Sequence, residues 1–162
     1  MKILLALLLT ATISLAQATT VFVDKNGRVF GYESNGWVMD EDSELIGFID
    51  RKNAIKAIGT GKPLIRITNN GDIYDIVNEI SVAFIGMTVE NANVYVNSLG
   101  RVFGYEKDGW VMDENSKLIG FYTDRRVKSK KTQVTLLCIS PDNKIHDYIN
   151  EKTLGPVVGT VK

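Results

Sequence analysis

Hydrophobic and polar residues alternate along most of the chain from Thr20 onward, and short segments rich in Gly, Asn and Asp interrupt the alternation. A two-residue period is typical of β-strands, because successive side chains point to opposite faces of a sheet. Asn-Gly pairs tolerate the positive φ angles of tight hairpin turns, and they occur at Asn26, Asn35 and Asn70. The pattern therefore predicts an all-β protein built from hairpins.

Two segments are predicted to depart from regular hairpins. In Asp50–Lys62, apolar residues have approximately helical spacing and two glycines follow, which predicts one short helix. Further along, Ser81–Val89 is predicted to be a longer strand, and Asn91–Asn93 to link it to the next one.

The segment Gly27–Phe48 is repeated at Gly100–Phe121, 73 residues later. Over Asn26–Phe48 and its copy, 18 of 23 positions are identical. Over Ile67–Glu79 and Ile139–Glu151, only 5 of 13 are identical. We infer that the first hairpins of each repeat are under a tighter structural demand than the later ones.

A weaker motif recurs four times, with a Gly or Asn, an apolar residue, one further residue and an Asp, followed by an apolar-Gly pair. It spans Gly36–Gly47, Gly71–Gly86, Gly109–Gly120 and Asn143–Gly159. Hairpins of this kind bury their apolar faces by packing on their neighbours. We predict a single compact all-β domain of tandem β-hairpins from two 73-residue repeats. Its expected form is a barrel or propeller-like ring of pseudo-two-fold or four-fold symmetry, and the alternative is two small β domains joined near Asn91–Asn93.

Residues 1–18 have the features of a secretory signal peptide. Lys2 precedes the apolar run Ile3–Leu15, and Ala16-Gln17-Ala18 is a small-x-small cleavage site. The run is shorter than the ~20 apolar residues that a membrane span needs, and no later segment is apolar enough to be one. We therefore predict an exported protein, periplasmic or extracellular. Residues 19–162 would form its β-repeat domain, with repeat one at 20–92 and repeat two at 93–162.

The tandem segments GWVMDEDSELIGFI and GWVMDENSKLIGFY each combine a strand, an Asp, a polar turn and an apolar-Gly-aromatic sequence. In this they resemble the short repeats of small exported bacterial proteins of the β-flower type, over about half of the mature chain. The 73-residue period is longer than in that family, and the second hairpins are irregular. The resemblance implies an all-β fold but no activity, so no residue takes a role from it.

The charge balance and the single cysteine narrow the possible partners. The chain has 19 Lys and Arg against 19 Asp and Glu, and only Lys2 would be lost with the signal peptide. Nucleic-acid binding needs a dominant basic field, so we predict no nucleic-acid partner. Cys138 is the only cysteine and lies in the apolar run Thr135–Ile139, where we predict a buried small hydrophobic residue.

Candidate catalytic and metal-binding residues are few. His146 is the only histidine, and it occupies the position of Tyr74 in the first repeat, which favours packing or a surface location. No nucleophile has a recognisable catalytic context, and no metal-ligand spacing is present. We predict no enzyme, no cofactor and no metal. A glycoside hydrolase based on two carboxylates is the weaker alternative, because sequence does not give their separation.

Acidic residues cluster in the predicted turns, as at Asp40–Glu44. Oxygen ligands in alternation can bind Ca²⁺, but Leu45 stands where a calcium loop would have Gly, so we predict solvated hairpin turns. A strand-ending Asp recurs in all four motifs, and we predict that it accepts hydrogen bonds from the following turn amides. These residues are Asp40, Asp75, Asp113 and Asp147.

Two groups of residues are candidates for ligand contact. The repeated aromatic residues are Trp37, Trp110, Tyr32 and Tyr105. Both faces of their strands are apolar, so core packing is the first interpretation, and stacking on sugar rings is the alternative. The basic segment Asp124–Lys131 is more basic than its counterpart Arg51–Ile58, and its candidates are Arg125, Arg126 and Lys128. A solvated loop is the first interpretation there, and attraction of an anionic partner is the alternative.

These observations favour an exported, non-enzymatic β-repeat protein that acts as a binding or structural module. One version binds carbohydrate or an anionic glycan. The other associates with itself or with another envelope protein through sheet edges or hydrophobic faces. The solvent exposure of Trp37 and Trp110 distinguishes between these versions.

Overall fold

The computed structural model describes residues 19–159. Every regular element in this range is a β-strand, so the all-β prediction is confirmed. The predicted signal peptide lies outside the described residues. Over the same range, no helix is present with the length and apolar character to span a membrane.

Fifteen strands follow one another along the chain, mostly as hairpins. The first eight are β1 (Thr19–Asp24), β2 (Val29–Ser34), β3 (Trp37–Asp40), β4 (Leu45–Ile49), β5 (Ala54–Ala57), β6 (Pro63–Ile67), β7 (Asp72–Val77) and β8 (Ile80–Val96). The other seven are β9 (Val102–Lys107), β10 (Trp110–Asp113), β11 (Leu118–Thr123), β12 (Arg126–Ser129), β13 (Thr135–Ile139), β14 (Lys144–Asp147) and β15 (Lys152–Val158).

The strands form two closed antiparallel rings that share β8. The first ring runs from β1 to β8 and closes where residues Gly86–Ala92 of β8 pair with β1. The second ring runs from β8 through β9 to β15 and closes where Val94 and Tyr95 pair with β15. Each ring has eight strands when β8 is counted in both. The 17 residues of β8 are thus divided between two closed sheets.

The core of each ring has four-fold character. Four fully buried side chains, one from every second strand, meet inside the ring. In the first ring these are Phe22, Val38, Ile55 and Ile73. The equivalent residues in the second ring are Tyr95, Val111, Val127 and Ile145. Each ring therefore consists of four hairpin units around one core, whereas the weaker sequence motif marked only two hairpins in each repeat.

Glycine faces most of these core residues on the adjacent strand. Gly31 pairs with Phe22, and Gly104 pairs with Tyr95. A Cβ atom at Gly31 would lie 2.5 Å from the Met39 carbonyl oxygen, and one at Gly104 would lie 2.5 Å from the Met112 oxygen. Only glycine fits at such a close approach of two backbones. The repeated mid-strand glycines thus let each ring close tightly around its core.

A third hydrophobic cluster joins the two rings. Its main members form pairs that are equivalent in the two repeats, namely Val21 and Val94, Val23 and Val96, Val29 and Val102, and Tyr32 and Tyr105. Met39 and Met112 pack against it as a further equivalent pair. We call this group the central cluster. It gives the molecule its pseudo-two-fold axis and makes the rings one unit, not two separate domains.

Backbone hydrogen bonds across the junction follow the same symmetry. The Val29 amide donates to the Glu114 carbonyl at 2.8 Å, and the equivalent Val102 amide donates to Glu41 at 2.8 Å. The turn after β3 therefore contacts the second ring, and the turn after β10 contacts the first. Because these hairpins pack against their own copies, a change in one copy alters both sides of the junction. This accounts for the higher identity of the first hairpins.

The predicted helix at Asp50–Lys62 is wrong, because the segment contains a turn and strand β5. Ile55 is fully buried and pairs with Ile49 on one side and Ile65 on the other. Ring closure requires a strand at this place, and tertiary pairing overrides a weak helical pattern. The turn before β5 is stabilised by Asp50, whose carboxylate accepts hydrogen bonds from the Lys52 and Ala54 amides at 2.8 and 3.0 Å.

Two smaller predictions also need correction. Asn91–Asn93 is not a linker, because β8 continues through it, and the repeat boundary at 92/93 lies inside a strand. Asn91 has a φ angle of 53°, at the place where β8 passes from one ring to the other. In the fourth motif, the residue that pairs with the core residue Ile145 is Gly155 and not Gly159.

The second ring contains a polar atom that the first ring lacks. Tyr95 occupies the position of Phe22, and its hydroxyl is buried without a hydrogen-bond partner among the described residues. Burial, with smaller contributions from Glu106 and Tyr122, raises the pKa of the Tyr95 hydroxyl. An unpaired buried hydroxyl costs about 1–3 kcal/mol.

We expect Tyr95→Phe to raise the free energy of unfolding by about 1 kcal/mol at pH 7, because the unpaired hydroxyl is removed. Unfolded tyrosine ionises near pH ~10, whereas folded Tyr95 stays neutral there. The wild-type protein therefore loses stability as the pH rises above that value, and the variant lacks this loss. Urea unfolding at pH 7 and above pH 10 measures the difference, and an unchanged gap between the two proteins would contradict the prediction.

Candidate functional site

The two tryptophans begin equivalent strands directly after equivalent tight turns. Asn35 and Gly36 have φ angles of 59° and 82° before Trp37. Asp108 and Gly109 have φ angles of 51° and 85° before Trp110. Positive φ at both central residues is the hairpin geometry that matches the twist of β-strands. The turns fix the position of each indole relative to its ring.

A glutamate stabilises each of these turns. The Glu33 carboxylate accepts a hydrogen bond from the Gly36 amide at 2.5 Å, and Glu106 accepts one from Gly109 at 2.5 Å. Glu106 is buried, and it also accepts a hydrogen bond from Asn93 of β8. The turn before Trp110 is thereby connected to the strand that both rings share.

Both indoles are exposed, whereas both candidate tyrosines are buried. Trp37 and Trp110 each retain 50% of their accessible surface. Tyr32 and Tyr105 each retain 4% and belong to the central cluster. Their hydroxyls are hydrogen-bonded to Ser43 and Ser116, each at 3.0 Å. The core-packing interpretation is wrong for the tryptophans. It is confirmed for the tyrosines, which are buried and stabilise the junction.

Strand register places a second aromatic residue beside each tryptophan. Trp37 pairs directly with Phe48 of β4, and Trp110 with Phe121 of β11. Directly opposed residues of antiparallel strands lie on the same face, with Cβ atoms about 4.5–5.5 Å apart. Both phenylalanines are partly exposed. Each ring thus presents two adjacent aromatic side chains on its outer surface.

The same rows continue to polar residues on both sides. In the first ring the order across the strands is Ser34, Trp37, Phe48, Lys56. In the second ring it is Lys107, Trp110, Phe121, Lys128. We call these the first and second aromatic rows. Each crosses four strands and is roughly 14 Å long at the ordinary strand spacing.

The basic segment Asp124–Lys131 contains a strand, β12, and is a turn only at its two ends. Val127 of β12 is fully buried in the second ring, and strand alternation places Arg126 and Lys128 on the outer face. Arg125 lies in the preceding turn and donates a hydrogen bond to the Ser140 carbonyl at 2.8 Å. Of the three basic candidates, Lys128 therefore lies in the second aromatic row and Arg126 lies two residues from it along β12.

The acidic turns have the structural role that the sequence predicted. One carboxylate oxygen of Asp40 accepts hydrogen bonds from the Asp42 and Glu44 amides, at 3.0 and 2.9 Å. Asp113 does the same for Asn115 and Lys117. Asp147 ends β14 and accepts hydrogen bonds from the Ile149 and Asn150 amides, so the prediction is confirmed for Asp40, Asp113 and Asp147. It is wrong for Asp75, which lies inside β7 and accepts only from the amide of the next strand residue, Ile76. Within residues 19–159, no three His, Cys, Asp or Glu side chains form a group that could bind a metal ion.

A cavity of about 450 Å³ lies on the second ring near β13 and β14. Its lining residues are Cys138, His146, Asp147, Tyr148 and Glu151. In the first ring, Arg66 stands where Cys138 does, and its guanidinium donates to the Glu79 carbonyl at 2.9 Å. The Cys138 side chain is shorter than that of arginine and cannot make the equivalent contact. Cys138 is only half-buried, which corrects the predicted core location.

Two carboxylates, those of Asp147 and Glu151, line the cavity. In a glycosidase the catalytic acid has a raised pKa. The Asn150 side-chain amide, followed by backbone amides, lowers the pKa of Asp147. The other carboxyl groups whose pKa is shifted, those of Asp24, Asp50 and Asp142, are also shifted downward.

Sequence reasoning identified the tryptophans and Lys128 but missed four neighbours, namely Phe48, Phe121, Lys56 and Lys107. A signal for these residues was present. A two-residue hairpin turn fixes which residues stand opposite each other, so Asp108-Gly109 places Lys107 opposite Trp110.

Comparisons with family models, curated proteins and solved structures find no match to this chain. The resemblance to β-flower proteins stays a prediction. The function is therefore inferred from the two rings and their aromatic rows.

We expect the two indoles to differ in their response to charged quenchers. The Trp37→Phe variant retains only Trp110, and Trp110→Phe retains only Trp37. Acrylamide, which is neutral, should quench both to a similar extent, because both are 50% exposed. Iodide should quench Trp110 more strongly at low salt, since Lys107 and Lys128 lie in its row, and added salt should reduce the difference. Equal iodide quenching of the two variants would contradict this expectation.

Proposed function

We propose that this protein is an exported, non-enzymatic binding module of the periplasm or cell exterior, and that its aromatic rows contact carbohydrate. The observation that carries the proposal is the equivalent exposure of Trp37 and Trp110, each beside a phenylalanine on the surface of its own ring. The two sites are related by the axis that relates the rings.

Exposed tryptophan at two equivalent strand positions needs a reason. Burying an aromatic side chain is a large source of stability, and the adjacent Val38 and Val111 are fully buried. Sugar rings have an apolar C–H face and polar edges, which match an indole and the polar groups around it. A strand surface also presents the aromatic side chains in a line, which suits an extended polymer.

Two equivalent sites on one rigid unit favour polymeric ligands over small ones. When one row binds a chain, the second row experiences a high local concentration of the same chain, and affinity rises without any new contact. A polysaccharide of the cell envelope or of the surroundings has the repetition that such a module needs. The signal-peptide features of residues 1–18 support the location.

The test is affinity electrophoresis in gels containing dextran, xylan, galactomannan or polygalacturonate. We expect at least one polymer to retard the wild-type protein. Trp37→Ala and Trp110→Ala should each weaken binding about tenfold, as at other aromatic contact centres, and the double variant should lose the avidity as well. Tyr148→Ala is the matched control, because Tyr148 is exposed but lies outside both rows. If the control weakens binding as much as the tryptophan variants, the rows are not the binding site.

Self-association is a second candidate function, and the hairpin of β7 and β8 favours it. This hairpin extends beyond the first ring, and Ile80 at its tip is 69% exposed. The exposed apolar residues of the hairpin are Val77, Ile80, Val82, Phe84 and Met87. The segment from Ile80 to Phe84 pairs only with β7, since pairing with β1 begins at Gly86. An uncharged free edge of this kind is a template for pairing with another chain.

The equivalent hairpin of the second ring carries protective features. The core residue Ile145 and its opposing Gly155 are three residues closer in sequence than Ile73 and Gly86 of the first ring. The second-ring hairpin also has Lys152 near its tip and Pro156 in its second strand. Charges and prolines on edge strands block pairing with other chains. The first-ring edge has β-bulges instead, at Val82 and at Ile85, because the register with β7 shifts at both places.

For this second function we expect the wild-type protein to associate as its concentration rises, and Val82→Lys to remove the association by placing a charge on the free edge. Light scattering over a range of concentrations measures both. Val134→Lys is the control, because Val134 is similarly exposed but lies outside the hairpin. A wild-type monomer at all concentrations would rule out the function.

A further inference from the structure

The two aromatic rows have the same aromatic residues but different charge. In the first row the one ionised side chain is Lys56, whose ammonium lies 3.2 Å from the Asp50 carboxylate. Burial acts to raise the pKa of Asp50, but hydrogen bonds from the Ala54 and Lys52 amides and the nearby Lys56 outweigh it, and the pKa is lowered. Asp50 is therefore ionised at neutral pH, and the first row is electrically balanced.

The second row lacks this compensation. Thr123 stands at the position of Asp50, and among residues 19–159 no carboxylate lies within ion-pair distance of Lys128. Lys107 replaces Ser34 at the other end of the row, and its ammonium is 3.4 Å from the exposed carboxylate of Asp108. The row therefore has a lysine at each end, and only one of the two is paired.

A third cation stands beside the second row. Arg126 is exposed on the outer face of β12, two residues from Lys128, and pairs with Thr123 and Cys138. In the first ring, the position of Arg126 is occupied by Ala54, which pairs with Arg66 and is small and buried. Around Trp110, Asp50 is thus replaced by Thr123, and two cations are gained, Arg126 and the Asp108-paired Lys107. The first-ring cation Arg66 is replaced by Cys138 on the next strand, so the cations of the second ring lie nearer to its row.

We propose that the second aromatic row selects acidic polysaccharides, those with carboxylate groups along the chain, and that the first row binds neutral stretches. The proposal rests on the carbohydrate-binding function above and adds the ligand class of each row. Stacking on Trp110 and Phe121 holds a sugar ring. Lys128 and Arg126 form charge-assisted hydrogen bonds with the carboxylates on the chain beside it.

The charges beside the second row discriminate between ligands more than they attract polyanions to the protein as a whole. The whole chain has balanced charge, with 19 basic and 19 acidic residues, so no general field attracts polyanions. The cations act within a Debye length of about 8 Å at physiological ionic strength, so their attraction is confined to the vicinity of the row. A polyanion that has no sugar face near its charges to stack on Trp110 gains little binding free energy.

The test uses polygalacturonate and its fully methyl-esterified form, which share one backbone and differ in charge. Binding is measured by titration of intrinsic fluorescence at low and at physiological salt. We expect Lys128→Gln with Arg126→Gln to weaken binding of polygalacturonate about 10- to 100-fold, as for the loss of one or two hydrogen bonds to a charged group. Binding of the methyl ester should stay within twofold.

Matched variants in the first ring complete the experiment. Lys25→Gln should leave polygalacturonate binding unchanged, because Lys25 is an exposed lysine of the first ring that lies outside both rows. Trp37→Ala should reduce binding of the methyl ester more than Trp110→Ala does. Arg126 is exposed and Lys128 half-exposed, so both replacements keep the fold, which urea unfolding checks.

The outcomes distinguish a failure of the charge selection from a failure of carbohydrate binding. If wild type binds both polymers equally and the second-row variants change neither affinity, the charge selection is wrong and carbohydrate binding stands. If neither polymer binds and other polysaccharides also fail to bind, the proposed function itself is wrong. Equal binding of mixed-sequence DNA, with no dependence on Trp110, would show a general cationic surface and overturn the inference.

Discussion

The sharing of β8 between two closed sheets is the constraint on which the rest of the structure depends. One strand supplies the closing edge of the first ring with residues Gly86–Ala92 and that of the second ring with Val94 and Tyr95. The rings therefore cannot separate, and their surfaces must fit each other along the strand. The central cluster meets this requirement with pairs of equivalent residues, so that each ring packs against its own copy. Burial of these pairs supplies the apolar contact that neither ring has alone.

This constraint accounts for the distribution of identity between the repeats and for the placement of the candidate sites. The first two hairpins of each ring form the junction and retain 18 of 23 identical positions. The tryptophans belong to the same hairpins and were retained with them, on the outer face beside the junction. The third hairpin of each ring and the first strand of the fourth hairpin contribute no residue to the central cluster, and they differ more between the repeats. There the second ring has Lys128, Arg126 and the cavity at Cys138, while the first has the apolar hairpin of β7 and β8.

Much of the fold was predictable from local chemistry, because the turns carry strong signals. Asn-Gly pairs marked three of the turns, at Asn26, Asn35 and Asn70, and the four recurrences of the weaker motif indicated hairpins packed around a ring. The short helix was a wrong prediction because Ala54 and Ile55 fit either period, and only ring closure decides between them. Asn91–Asn93 resembles a linker by composition, yet the positive φ of Asn91 lets a single strand pass between two rings. Pairing between strands that are more than about twelve residues apart in the sequence leaves no pattern within a short segment.

The candidate site was only partly predictable, for a different physical reason. Alternation separates a buried from an exposed face only when one face is polar, and both faces of β3 are apolar. One face packs inside a ring through Val38, and the other carries Met39 to the central cluster and Trp37 to solvent. Two apolar residues on one face thus have different environments, which depend on where the junction ends. Where the junction ends is determined only when the two rings pack against each other.

Unfolding followed separately in the two rings tests the central claim most directly. The Trp110→Phe variant reports on the first ring through Trp37, and the Trp37→Phe variant reports on the second through Trp110. If one shared strand and one central cluster join the rings, fluorescence of both variants and circular dichroism should give one urea transition with a common midpoint. Two transitions, with one ring unfolding while the other stays intact, would contradict the account.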